Sequence, residues 1–332
     1  MSKIAVLGAG SWGTTLANML CTKGLKVSMW AREKELVQEI KKKGENTWYL
    51  PGYSLESRLE VSHEPDEVLH GVDYCLVVIP CQFMRKVLED FKDLFLDNPV
   101  IICASKGIEL TTLKPQSSVI SEALRGKNPR YSVVSGPSFA DEVSRKLPTA
   151  VSLGCEDQEL GARLQEILST DFFRVYFNAD YRGVELGGAL KNIMAIAAGI
   201  ADGLEFGHDA RAALITRGLV EMSRFGVALG GKEKTFMGLS GMGDLVLTCT
   251  GDLSRNRQVG LELGRGKTLD DILKVRKTVA EGVKTTESVY RLSKDLHVEM
   301  PITEQVYNVL FEQKDPRSAV EELMTRALKV EQ

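Results

Sequence analysis

Gly8-Ala9-Gly10-Ser11-Trp12-Gly13 follows directly on the apolar run Lys3-Ile4-Ala5-Val6-Leu7 and opens an amphipathic stretch at residues 14–22. A G-x-G-x-x-G turn between a strand and a helix predicts a dinucleotide-binding unit, and each glycine has its own duty there. Gly8 makes the tight turn, Gly10 lets the backbone approach a pyrophosphate, and Gly13 lets the helix pack on the strand. The helix that follows directs its unpaired N–H groups and the positive end of its dipole at the phosphates. Three glycines recur by chance; the strand–turn–helix setting is what makes this reading specific.

Outward from that turn, strand and helix patterns alternate. Strands are predicted at 26–30, 58–62, 74–79, 100–104, 131–135, 149–153 and 172–177, with helices such as 33–43 and 82–95 between them. Near-continuous apolar strands separated by amphipathic helices imply a mostly parallel sheet covered on both faces, with ligands at the carboxyl ends of its strands. Pro80, Ser105-Lys106-Gly107 and Ser135-Gly136-Pro137-Ser138 stand at such ends. Near Asp180 the character changes, and helices are predicted at 184–201, 210–228, 256–264, 268–275, 285–296, 301–311 and 316–327. The fold class is therefore α/β: a Rossmann-type domain over 1–180, then an all-helical domain over 181–332, joined without a linker so that the two are expected to share a cleft.

At 332 residues the chain has room for these two domains, and its 43% hydrophobic and 26% charged content is that of a soluble globular protein. A net charge of −3 gives no global attraction to nucleic acid or anionic membrane, so phosphate sites must be local. No signal-peptide pattern precedes the first strand, and no stretch of about 18 uninterrupted apolar residues occurs, which points to a cytoplasmic protein without stable membrane insertion. The six cysteines are scattered and the four histidines form no H-x-x-x-H pair, so no metal is expected and a protein side chain must handle any proton.

In the second half, residues 184–201 read V-E-L-G-G-A-L-K-N-I-M-A-I-A-A-G-I-A. Lys191 in so apolar a helix either snorkels to solvent along its stem or lines a polar cleft as a desolvated amine able to exchange a proton. Asn192 beside it could hydrogen-bond a polar substrate. Asp244 is the one acid in the glycine-rich stretch 238–250; it either caps the following helix or serves the site. Ser254-Arg255-Asn256-Arg257, at a predicted helix start, is either an anion cradle or a solvated basic cap. Lys106 either reaches the same cleft or lies on the surface.

Taken together, G-A-G-S-W-G, S-K-G, S-G-P-S-F-A, G-G-A-L-K-N, A-L-I-T-R-G, G-D-L-V-L-T-C-T and S-R-N-R, in this order, closely resemble the bacterial-type NAD(P)-dependent sn-glycerol-3-phosphate dehydrogenases. The resemblance implies reversible hydride transfer between dihydroxyacetone phosphate and sn-glycerol 3-phosphate, with NADPH or NADH, for phospholipid synthesis, in a homodimer. By matching positions it implies Lys191 as the proton acceptor. It implies Lys106, Gly136, Ser138, Lys191, Asp244, Ser254, Arg255 and Asn256 at the substrate. Besides the glycine turn (Gly8, Gly10, Gly13), it implies Ser11, Trp12, Arg32, Lys106, Ala140, Arg255, Val279 and Glu281 at the cofactor. Two alternatives compete: a 6-phosphogluconate or 3-hydroxyacid type of dehydrogenase, which also uses a helix lysine, and a non-catalytic NAD(P)H sensor. Arg32, just past the second strand where NAD-specific sites carry an acid, predicts that NADPH serves at least as well as NADH. If Glu33 faces the ribose instead, that preference reverses.

Overall fold

The computed structural model describes residues 2–275, 280–328 and 330. The chain folds into two compact units, one of Met1–Lys106 with Lys114–Glu185 and one of Gly107–Leu113 with Leu186–Gln332. The division differs from the expected 180/181 boundary in two ways. It falls inside a helix, Tyr181–Gly203, rather than before it, and a short segment after Lys106 belongs to the second unit. An apolar helix gives no sequence signal of where along its length one core ends and the next begins. Ile108, which marks the short segment, is wholly buried in the second unit's core.

In the first unit, β1 (Lys3–Leu7), β2 (Lys26–Trp30), β3 (Glu60–Ser62), β4 (Tyr74–Val77), β5 (Val100–Cys103), β6 (Arg130–Ser135), β7 (Thr149–Gly154) and β8 (Phe173–Asn178) form one sheet. Their order is β3-β2-β1-β4-β5-β6-β7-β8, parallel throughout except between β6 and β7. Both faces are covered, as the continuous apolar strands require: Ile4 and Val6 of β1 enter one core, Ala5 and Leu7 the other. The strand order reverses between β1 and β4, so the crevice for a ligand opens at the carboxyl ends of those two strands. Because β7 returns antiparallel to β6, residues 136–148 stay at the carboxyl edge of the sheet. That places Gly136, Ser138 and the helix Ala140–Ser144 at the same edge as the glycine turn.

The second unit is helical and is built around Tyr181–Gly203, whose Leu190, Ile193, Met194 and Ile196 are fully buried. A helix apolar on every side belongs in the middle of a core. It is long and apolar enough to span a membrane, and its apolar window is wholly buried in the protein. Gly207–Ala228, Arg255–Gly264, Glu281–Asp295 and Pro301–Phe311 are the main helices around it. Glu281–Asp295 starts four residues earlier than the predicted span 285–296. In place, Gly282 is required by packing: a Cβ there would lie 2.7 Å from Asn256 Oδ1 and 2.9 Å from the Asn192 carbonyl.

All six cysteines are buried free thiols. Burial pushes the thiol of Cys249 up to about 12 and raises that of Cys75 as well, so both remain protonated packing groups.

Candidate active site

The three glycines of the turn divide their duties as their spacing predicts. Gly8 sits at φ +118°, and a Cβ on it would come 2.6 Å from the Val78 carbonyl at the end of β4. On Gly13 a Cβ would be 1.9 Å from the Gly8 carbonyl oxygen, so the helix packs on the turn with no room for a side chain. Around Gly10 nothing lies within 4 Å of a Cβ position. Two glycines are thus required by packing within the chain, while the space over Gly10 is open. The helix behind it, Ser11–Thr22, has no acidic residue in its first turn to compete for an anion. A pyrophosphate fits this cradle, with Ser11 and Trp12 at the helix start. Trp12 is held by Phe173, ring centroids 6.3 Å apart.

The other residues of this unit expected at the cofactor follow the same strand ends. Arg32 follows β2; its side chain is 72% exposed and its guanidinium bonds the Glu33 carboxylate at 2.6 Å. Lys106, after β5, extends its Nζ to 3.5 Å from the Gly136 carbonyl, which also accepts from Ser138 Oγ at 3.0 Å. Gly136 itself has φ +155°, and a Cβ there would meet the Val151 backbone at 2.8 Å. Ala140 is tied to the glycine-turn helix, its carbonyl accepting from Thr15 Oγ1 at 3.3 Å. Ala140 is thus tied to the helix that follows the glycine turn, and Lys106 to Gly136. Val279 lies outside the described residues, and Glu281 is the first residue of its helix.

In the second unit Lys191 does not snorkel. It is 7% exposed, and its Nζ donates to Asp244 Oδ1 at 2.8 Å and to Thr248 Oγ1 at 2.7 Å. Asp244, 1% exposed, does not cap a helix; a π-helical turn, Leu239–Gly243, runs straight into Asp244–Thr250. The acid's carboxylate faces the lysine. Such turns are frequent at functional sites, and here the turn is pressed against the lysine helix, where a Cβ on Gly187 would meet the Ser240 carbonyl at 2.6 Å. Thr248 Oγ1 also lies 2.6 Å from the Asp244 carbonyl, so donation to that oxygen leaves its lone pairs for the lysine. Sequence reasoning assigned Thr248 no role. The available signal was its i,i+4 spacing from Asp244, which puts the two on one helix face.

Ser254, Arg255 and Asn256 sit next to this group. Ser254 caps the helix Arg255–Gly264, its Oγ accepting from Arg257 N, while Arg255 is exposed at the first helical position. Asn256 is buried; its Nδ2 donates to Asn192 Oδ1 at 2.9 Å and its Oδ1 accepts from Gly282 N at 3.0 Å. One amide thus joins the helices carrying Lys191, Arg255 and Glu281. Glycine packing fixes the first two further, since Cβ atoms on Gly199 and Gly260 would each lie 2.0 Å from a carbonyl of the opposite helix. Arg257 completes the joint by bonding Asp202 of the lysine helix at 2.7 Å.

An apolar-shielded lysine paired with an acid, next to a helix start rich in anion donors, is equipment for acting on a polar, anionic substrate. Residues 3–161 match the NAD-dependent glycerol-3-phosphate dehydrogenase N-terminus, and residues 180–321 match the C-terminus of the same family. The chain belongs to the NAD-dependent glycerol-3-phosphate dehydrogenase family. It is similar to the glycerol-3-phosphate dehydrogenase (NAD(P)+) of Maridesulfovibrio salexigens, with 61% identity over 99% of this chain and 100% of the relative. Among solved structures, that of glycerol-3-phosphate dehydrogenase from Coxiella burnetii superposes with a TM-score of 0.94 at 43% identity, covering 98% of this chain and 99% of that one. Glycerol-3-phosphate dehydrogenase from Plasmodium falciparum gives 0.89 at 27% identity, covering 99% and 97%.

Proposed function

We propose that the protein is an NAD(P)-dependent dehydrogenase that interconverts dihydroxyacetone phosphate and sn-glycerol 3-phosphate. The observation that carries this reading is the buried Lys191–Asp244–Thr248 group beside the Ser254–Asn256 helix start, in a chain of this family. A nicotinamide bound there would supply or take the hydride at C2 of the substrate. Lys191 handles the proton. In reduction its ammonium gives a proton to the C2 oxygen as the carbonyl becomes a hydroxyl; in oxidation its amine takes that proton back. Asp244 and Thr248 aim the amine and balance its charge, so that the general acid–base is pre-positioned rather than ordered anew at each turnover. Ser254, Arg255 and Asn256 hold the substrate phosphate, with Arg255 supplying charge-assisted hydrogen bonds and the helix end adding its dipole. Lys106, Gly136 and Ser138 are substrate contacts in this scheme. Gly8, Gly10, Ser11, Trp12, Gly13, Arg32, Ala140, Val279 and Glu281 serve the cofactor, with Lys106 and Arg255 touching both ligands. Arg32, exposed past β2, meets the 2′-phosphate of NADPH.

The enzyme acts in the cytoplasm as a homodimer, making glycerol phosphate for phospholipids, with a Rossmann-type cofactor domain followed by a helical substrate domain. The burial of the long apolar helix Tyr181–Gly203 supports the absence of membrane insertion. Sedimentation at micromolar protein tests the dimer. The reaction is tested by following nicotinamide absorbance with dihydroxyacetone phosphate, 6-phosphogluconate and 3-hydroxyacids supplied separately. Turnover with the first alone is the expected result. Turnover only with the others would replace this reading by a related dehydrogenase, and turnover with none by a sensor.

A further inference from the structure

Between the helix Lys34–Lys43 and β3 the chain makes an excursion, residues 44–59, for which the proposed reaction has no use. Asn46 within it is polar and wholly buried. Its Nδ2 donates to the Ala9 carbonyl at 2.8 Å and to Thr14 Oγ1 at 2.8 Å. Thr14 Oγ1 itself lies 3.2 Å from the Ala9 carbonyl, and Asn46 Oδ1 accepts from Tyr49 N at 3.1 Å. The excursion is fixed to the same helix once more through Asn18, whose Oδ1 accepts from Glu56 N at 2.8 Å.

The peptide that Ala9 shares with Gly10 ends on a glycine, whose backbone rotates at little steric cost. In a trans peptide the C=O of one residue and the N–H of the next point in opposite directions. Holding the Ala9 carbonyl toward Asn46 therefore fixes the Gly10 N–H on the opposite side. A buried side chain from another part of the chain thus holds the orientation of this peptide in the turn.

We infer that Asn46 is a positioning residue for the dinucleotide: it locks the Ala9–Gly10 peptide in the orientation that receives the pyrophosphate, without touching the ligand. This rests on the reading of the glycine turn as a pyrophosphate cradle. Without the lock, the turn must be ordered when ligand binds, and the cost appears as lost affinity.

The test uses Asn46→Asp, which keeps the shape but cannot donate to the Ala9 carbonyl, with Asn46→Ala alongside. Two probes compete against NADPH: ADP-ribose, which carries the pyrophosphate, and adenosine 2′-monophosphate, which lacks it. The lock predicts about a ten-fold loss for ADP-ribose, no loss for adenosine 2′-monophosphate, and an unchanged KM for dihydroxyacetone phosphate. Equal losses for both probes, or no loss for ADP-ribose, would overturn the inference, because a merely structural role cannot single out the pyrophosphate. If neither variant folds, Thr14→Val carries the test: a selective loss of about three-fold for ADP-ribose supports the lock, and unchanged binding overturns it. Should the parent protein itself fail to bind ADP-ribose, the cradle reading falls, and this inference with it; tight parent binding with an indifferent Asn46→Asp removes only the lock.

Discussion

In the proposed reading, the glycine turn and the lysine group hold a reactant in opposite ways. At Gly8–Gly13 the working parts are backbone: a positive φ, a helix end, and empty space over Gly10 bounded by two glycines that the fold itself fills. At Lys191 the working parts are side chains buried to within a few per cent, brought together from segments 53 and 57 residues apart. A backbone cradle tolerates changes in its neighbours but not an added Cβ. A buried ion pair tolerates neither partner's removal, because the survivor is left as an uncompensated charge.

The sharpest way to break this comparison is Lys191→Ala. Turnover is expected to fall by about 10²–10⁴, while NADPH affinity stays within about two-fold, since the cofactor's cradle lies elsewhere in the chain. Loss of the pair with Asp244 should also lower stability by about 3–5 kcal/mol, read as a fall in melting temperature. Near-parental turnover would remove Lys191 from the chemistry.

Next in size is Arg255→Ala. A lost charge-assisted phosphate contact is worth roughly 1.5–3 kcal/mol, or about one to two decades in affinity for dihydroxyacetone phosphate. Some cofactor affinity should go with it. Calorimetric titration with dihydroxyacetone phosphate gives the answer directly, and unchanged binding would put the cradle elsewhere.

Two alanine variants of the turn sharpen the backbone side of the comparison. Gly13→Ala forces a methyl against the Gly8 carbonyl and should cost about 1–3 kcal/mol in a denaturant melt. Gly10→Ala meets no protein atom, so its stability should be unchanged while NADPH and NADH both bind more weakly. A destabilised Gly10→Ala of parental affinity would reverse the roles assigned to the two glycines.

Arg32→Ala is a smaller effect, because the side chain is 72% exposed and already engaged with Glu33. NADPH affinity should drop about five-fold and NADH affinity much less, as only NADPH carries the 2′-phosphate. Equal losses would show that Arg32 does not read that position.

Smallest of all is the acid response of Glu39, at the base of the 44–59 excursion. Hydrogen bonds from Lys43, then Thr47 and Trp48, hold its carboxyl down to about 2, below its usual range. A depressed carboxyl contributes stability that is present above the unfolded value of about 4.3 and is lost as pH falls from there toward 2. Trp48 fluorescence should report that loss on acidification, and Glu39→Gln should flatten the response.

These differences also explain what the sequence revealed. β1, β2 and Pro301–Phe311 match their predicted spans residue for residue, because apolar periodicity and turn residues are local. The glycine turn was legible for the same reason. Lys191 stood out as a charge in an apolar helix, but Asp244 stayed evenly balanced between cap and site until the π turn showed it continuing a helix. Asn46 left no local trace at all; an asparagine in an irregular segment acquires its role only when the fold buries it against Ala9 and Thr14.

The central claim is that this chain moves a hydride between a nicotinamide and C2 of a three-carbon phosphate. NADPH carrying deuterium at the transferred C4 position, mixed with enzyme and dihydroxyacetone phosphate, tests it most directly. The account predicts sn-glycerol 3-phosphate with one deuterium at C2, formed in step with the loss of nicotinamide absorbance. Consumption of the cofactor without deuterium at C2, or no reaction at all with this ketone, would contradict it.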